Sequence, residues 1–253
     1  MRDPQCILIT GASSGIGAAL AKLYAGPGRT LALTARNEAR LEEVAARCRW
    51  LGADVLSASL DVRDAGALAG WIAEVERQRP IDLGVANAGV ALGANGADDS
   101  AEAVRLTFAT NVDGVLNTVL PLMAPMRQRR RGQIAIVSSV ASFRGFPGSA
   151  AYCASKAAER LYGEGLRGDL APFGVGVSVI CPGFIRTPMT AANPFAMPLL
   201  MEPERAAAII RHGLARNRAR IAFPWPTYAV CWLLGVLPPS WTDGLLRRGP
   251  RKS

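Results

Sequence analysis

Short apolar runs alternate with longer amphipathic stretches along most of the chain. The short runs are Cys6–Thr10, Thr30–Ala35, Asp54–Leu60, Leu83–Ala86, Gln133–Ser138 and Gly176–Cys181. Between them, helical patterning covers residues 15–25, 38–50, 64–78, 99–109, 112–130 and 153–171. Strands that alternate with helices predict a parallel sheet covered on both faces. The pattern matches a doubly wound α/β fold, in which ligands bind at the carboxyl ends of the strands. No repeat or linker divides this region.

The regularity breaks after Cys181, where Pro182, Pro188, Pro194 and Pro198 precede a helix near 202–217. A loop near 186–200 carries Met189, Phe195 and Met197, with Phe184 just before it, and suits a lid over an apolar ligand. The tail from Ile221 holds an apolar run from Tyr228 to Leu237, then Pro238, Pro239, Trp241 and Leu245–Leu246 before a basic end. A run this short cannot span a bilayer, which takes about 20 residues. Three readings stay open for the tail: peripheral membrane contact through Trp225, Trp232 and Trp241, a cover for the cleft, or packing between subunits.

A length of 253 residues suits one α/β domain, and 50% hydrophobic with 19% charged residues is a globular composition. The formal charge of +9 comes mainly from arginine, because Lys22, Lys156 and Lys252 are the only lysines. Arginines gather at Arg127–Arg131, from Arg211 to Arg220 and near the C-terminus. They read as solvated helix ends, and no motif with aromatic interleaving points to nucleic acid. The five cysteines (Cys6, Cys48, Cys153, Cys181, Cys231) form no CxxC pair and no metal spacing. With no signal peptide, this predicts a reduced, cytoplasmic chain. A single histidine, His212 in the late helix, argues against a zinc site or a Ser-His-Asp hydrolase.

Thr10–Gly17 reads Thr-Gly-Ala-Ser-Ser-Gly-Ile-Gly, directly after the first strand and before a helix. Gly11 permits a tight turn, Gly15 lets backbone approach a diphosphate, and Gly17 permits close packing of the helix. Free amides at the helix start would then face negative charge. The spacing departs from the commonest dinucleotide fingerprint. The second strand ends at Arg36 with no carboxylate before Asn37 and Glu38. A carboxylate there would bind a ribose hydroxyl, whereas the planar fork of arginine suits a 2′-phosphate, so NADP(H) is expected over NAD(H).

Tyr152 and Lys156 stand four residues apart and share one helix face. A phenol with a pKa of about 10 is a poor base near neutrality. A fixed ammonium beside it favours the phenolate, so the tyrosine could exchange a proton with a carbonyl or alcohol. Ser139, at the end of the fifth strand, could hydrogen-bond the reacting oxygen. Taken alone, this spacing is also that of any amphipathic helix.

In order along the chain, the turn TGASSGIG, ANAG at 86–89, Asn111 in TNVDG, and Ser139 with Tyr152 and Lys156 resemble the short-chain dehydrogenase/reductase family. The likeness runs from about residue 4 to 223. It implies a single Rossmann-type domain over 1–224, a doubly wound parallel sheet of about seven strands, followed by an extension over 225–253. It also implies a role for each matched residue. Tyr152 is the general acid/base, Lys156 binds the nicotinamide ribose, Ser139 orients the substrate and Asn111 holds a relay water. Gly11, Ser13, Ser14, Gly15, Ile16, Gly17, Asp61, Val62, Asn87, Ala88 and Gly89 would contact cofactor, as would Pro182, Gly183, Ile185 and Thr187. Read locally, Asn111 and Asp61 could simply cap helices.

Ala86 replaces a residue that is often asparagine in the family. Ile221–Phe223 offers the last strand, but the tryptophan-rich tail follows instead of the family's usual ending. A homodimer through the helices at 99–130 and 150–172 is therefore expected rather than a tetramer. Phe143, Phe146, Phe184, Phe195 and Met197 point to an apolar carbonyl or alcohol substrate. The intact Asn-Ser-Tyr-Lys set argues against one alternative, a silent nucleotide sensor; a second, a membrane-surface module built on the tail, stays open.

Overall fold

The computed structural model describes residues 3–92, 100–191, 193 and 196–247, without the side chains of Leu245 and Arg247. Seven strands form one sheet: β1 (Cys6–Thr10), β2 (Thr30–Ala35), β3 (Asp54–Ser59), β4 (Leu83–Ala86), β5 (Gly132–Val137), β6 (Val175–Pro182) and β7 (Arg220–Phe223). Their order is β3-β2-β1-β4-β5-β6-β7, and every neighbouring pair is parallel. The order reverses between β1 and β4, so a crevice opens at their carboxyl ends. The inner strands β1, β2, β4 and β5 are buried throughout, whereas the edge strand β3 is partly open. Central parallel strands lie between two helix layers, which is why their runs are apolar on both faces.

The helices are α1 (Gly15–Tyr24), α2 (Glu38–Trp50), α3 (Ala65–Gln78), α4 (Ala101–Phe108), α5 (Gly114–Gln128), α6 (Ala150–Leu170), α7 (Pro188–Ala191), α8 (Pro203–Ala215), α9 (Trp225–Val236) and α10 (Pro239–Arg247). Successive strand residues point to opposite faces. Ile7 and Ile9 meet Leu20, Leu41 and Ile210 of α1, α2 and α8, while Leu8 meets Ile72, Leu122 and Leu166 of α3, α5 and α6. Asn37, Asp64 and Ser100 cap α2, α3 and α4 by accepting from backbone N–H groups at 2.9, 2.9 and 3.1 Å. Each such cap contributes about 1 kcal/mol.

The structure departs from the sequence pattern in four places. α4 and α5 join through a π turn, Ala109–Asp113, so Asn111 sits inside a continuous helical path instead of capping one. Of the arginines after α5, Arg130 and Arg131 are exposed as expected, whereas Arg129 is half-buried and binds Glu76 and the Ile81 carbonyl. The expected lid contains the short α7, and Phe195 lies outside the described residues. The tail forms α9 and α10. No helix among the described residues is long and apolar enough to cross a membrane.

Candidate active site

The site begins at the turn between β1 and α1. Gly11 and Gly15 have φ of +66° and +54°, a region costly for side-chain-bearing residues. Ser14 precedes α1 without a side-chain capping bond, which leaves the first amides of the helix open to an anion. A Cβ on Gly17 would sit 2.4 Å from the Gly11 carbonyl oxygen, so a larger residue there would push the helix off the turn. Asn87 fixes the neighbouring strand end: its Nδ2 donates to the Thr10 carbonyl at 2.9 Å, and its backbone N–H donates to Thr10 Oγ1 at 3.1 Å. Thr187 closes from the other side, with its Cγ2 2.7 Å from where a Gly15 Cβ would lie.

A cleft of about 550 Å³ runs over this turn along the carboxyl edge of the sheet. Of the residues singled out in the sequence, it brings together Gly11, Ser13, Ser14, Gly15, Ile16, Arg36, Val62, Asn87, Ala88 and Gly89. At its other end lie Ser139, Tyr152, Lys156, Pro182, Gly183, Ile185 and Thr187. Gly17, Asp61 and Asn111 do not line it. The Asp61 carboxylate is engaged by Arg63 at 2.6 and 2.9 Å, which holds it below its ordinary pKa. It caps no helix; Asp64 does that for α3.

Asn111 is completely buried, and its side chain spans two segments. Its Nδ2 donates to the Val90 carbonyl at 3.0 Å and Ser155 Oγ at 2.9 Å, while Oδ1 accepts from Val90 N–H at 2.8 Å. The π turn places it there, and such turns often mark functional positions.

β5 ends at Val137, and α6 then delivers Tyr152 and Lys156 to the same edge of the sheet. Ser139 Oγ accepts from the Ala141 N–H at 3.1 Å and donates to the Pro182 carbonyl at 3.5 Å, on the side of the cleft that Tyr152 lines. Lys156 Nζ lies 5.9 Å from the centroid of the tyrosine ring. Burial raises the phenol above its ordinary value, Lys156 and Ser139 pull it down, and Glu159 adds to the upward push. The net direction is opposite to the expected lowering. Desolvation outweighs the ammonium, whose charge is answered by Glu159: Nζ donates to Glu159 Oε1 at 2.9 Å and Oε2 at 3.0 Å, and to the Val137 carbonyl at 3.0 Å.

Glu159 was not singled out in the sequence; its signal was its place three residues after Lys156 on the same side of α6. Arg40, which lines the cleft with Arg36, was also missed; its signal was its place in the first turn of α2, four residues after Arg36. Phe143 is displaced from its expected place. It packs edge-on against Tyr228, with centroids 5.4 Å apart, under the guanidinium groups of Arg160 and Arg220. Phe146 lines a second cavity of about 320 Å³ with Arg144, Asp243 and Leu246 of the tail side. Met189 lines the main cleft.

A profile of the short chain dehydrogenases matches residues 5–196. An uncharacterized oxidoreductase of Myxococcus xanthus is 38% identical over 242 residues, covering 95% of this chain and 96% of that protein. A short-chain dehydrogenase from Sphingobium yanoikuyae, solved in complex with NADPH, is 27% identical with a TM-score of 0.79 and covers 96% of both chains. A short chain dehydrogenase from Mycobacterium paratuberculosis bound to NAD shares the fold at a TM-score of 0.80, with 24% identity and coverage of 89% and 98%. With its profile matched over most of its length and a relative more than one-third identical nearly end to end, the chain belongs to the short-chain dehydrogenase/reductase family, oxidoreductases that act on an alcohol or carbonyl with a nicotinamide cofactor.

Proposed function

We propose that the chain is an NADP(H)-dependent oxidoreductase that interconverts a small apolar carbonyl compound and its alcohol, with Tyr152 as the proton-transfer group. The observation that carries this reading is the placement of Tyr152, Ser139 and Lys156 at one end of a cleft whose middle is the open turn at Gly11–Gly15. The residues fit the cofactor: free amides at the α1 start face a diphosphate, Val62 and Leu60 take the adenine, and Pro182 to Thr187 take the carboxamide end. Bound there, the cofactor supplies or accepts the hydride. Lys156 carries positive charge to the ribose and the phenol, Ser139 orients the substrate oxygen, and Tyr152 gives or takes the proton. Asn111 contributes by tying Val90 to Ser155, the neighbour of Lys156.

The preference for NADP(H) rests on Arg36, with Arg40 beside it at the adenosine end and Asp61 committed to Arg63. NADPH oxidation against a broad panel of ketones and aldehydes tests the whole reading. Apolar ketones are expected to be turned over, and a panel with no turnover would favour a silent nucleotide sensor. In Arg36→Asp, kcat/KM with NADPH should fall by about 10- to 100-fold, the loss of charge-assisted bonds to one phosphate. The value with NADH should hold or rise. Equal losses with both cofactors would end the assignment.

We place the catalytic domain at 1–224, with 225–253 as an extension on it. Phe108, Leu120 and Leu161, on α4, α5 and α6, are exposed and support a homodimer through those helices. Trp225, Trp232, Leu233, Val236 and Trp241 of α9 and α10 are exposed as well, a surface suited to peripheral contact with anionic lipid. Sedimentation tests both assignments: the free protein should run as a dimer, and it should pellet with anionic vesicles unless residues 226–253 are deleted. A monomer removes the first, and vesicle binding that survives the deletion removes the second.

A further inference from the structure

α6 carries a third ionisable group on the side of Tyr152 and Lys156. Glu159 stands seven residues after Tyr152 and three after Lys156, so all three lie on one side of the helix. Its side chain is completely buried, and that of Lys156 is 6% exposed. Among the described residues, Lys156 Nζ is the hydrogen-bond donor to the Glu159 carboxylate, reaching both oxygens. An ammonium has three N–H groups. Two oxygens of Glu159 and the Val137 carbonyl take up its donors on the side of the sheet.

We propose that Glu159 is a positioning residue for the reaction: its carboxylate anchors the Lys156 ammonium and sets how much of that positive charge reaches the Tyr152 phenol. The inference rests on the reading of Tyr152 as the proton-transfer group. Contact between Glu159 and Lys156, at 2.9 Å, is far closer than the 5.9 Å from Nζ to the tyrosine ring, so the ion pair presents the phenol with a partly neutralised charge. The other groups that bear on the pair are few. Cys153 shares α6, Cys181 on β6 is held protonated by a pKa pushed up to about 12, the neutral Ser139 pulls the phenol down, and the neighbouring π turn presents the neutral Asn111 to Ser155. Burial pushes the Glu159 carboxyl itself up, to about 7, against the pull of Lys156.

In Glu159→Gln the amide oxygen still accepts from Nζ, but the negative charge is gone. The Tyr152 phenol should then ionise at lower pH, by about one pH unit. Two readouts follow this. One is the pH midpoint of kcat/KM for alcohol oxidation. The other is near-ultraviolet phenolate titration of the cofactor-free protein, with Tyr152→Phe subtracted to isolate one of the 4 tyrosines. The titration needs no substrate, so it stands even if the proposed activity fails. Glu159→Asp keeps the charge and should stay near the wild-type midpoint. A midpoint that is unmoved or higher in Glu159→Gln overturns the proposal, as does an equal shift in Glu159→Asp. If Glu159→Gln does not fold, the titration is made on Glu159→Asn, which keeps Lys156 and also removes the carboxylate charge. There too Tyr152 must ionise at lower pH than in wild type.

Discussion

Tyr152→Phe is expected to lower turnover by on the order of 10²- to 10⁴-fold while leaving NADPH binding within a few-fold of wild type. The substitution keeps the ring and its packing on α6 and removes only the hydroxyl. Lys156 keeps its bonds to Glu159 and to the Val137 carbonyl, so its ammonium stays in place for the ribose. Ser139 keeps its bond from the Ala141 N–H at 3.1 Å and still points its oxygen at the site. What is lost is the proton donor to the developing alkoxide, or the acceptor from an alcohol. Steady-state turnover and NADPH fluorescence titration, measured side by side, separate the two effects. Turnover within tenfold of wild type would remove Tyr152 from its role. Loss of NADPH binding in step with turnover would show a structural part instead.

That expectation was readable from the sequence because each of its parts has a local signature. The Gly-rich turn follows an apolar run and precedes a helix, and the i, i+4 spacing of Tyr152 and Lys156 survives any helix that contains both. The strands were readable for a related reason: residues buried on both faces leave continuous apolar runs. What was not readable depended on contacts across the chain. The Asn-Val-Asp-Gly segment after α4 looks like a break between helices, yet packing of Asn111 against Val90 and Ser155 carries the helix through it as a π turn. α9 is apolar nearly all round and flanked by prolines, so it offers no period to read.

Glu159 shows the same limit more sharply. A lysine followed three residues later by a glutamate on a helix ordinarily means an exposed pair worth a few tenths of a kcal/mol. Nothing local separates that case from a buried one. The difference lies in β5 and β6, which α6 approaches closely enough that a Cβ on Gly163 would lie 2.6 Å from Val179 Cγ2. This approach seals the face that carries Glu159 and converts a surface pattern into a buried ion pair.

The conversion has a consequence for stability, and Lys156→Met should expose it. Removing the lysine leaves Glu159 completely buried without its donor, and breaking a buried pair in this way costs about 3–5 kcal/mol. For a chain of this size that is a fall in Tm of about 6–20 °C near pH 8. The cost depends on pH with a definite sign. Burial already raises the Glu159 carboxyl to about 7 with the ammonium present, and without it the carboxyl rises further. Its value in the unfolded chain is about 4.3. The folded variant therefore binds the proton more tightly than the unfolded one, and stability falls as pH rises from the unfolded value through the folded one. Melting curves of Lys156→Met and wild type should lie close together near pH 5 and separate towards pH 8. Adding Glu159→Gln should close most of the gap at the higher pH, because the amide carries no charge to strand. A loss that is the same at both pH values, or one that the second substitution leaves untouched, would assign the damage to packing and not to charge. The same experiment bears on the proposed chemistry: the lysine assigned to the ribose and the phenol also pairs with a buried carboxylate, so α6 and the proposed proton-transfer site depend on one ion pair.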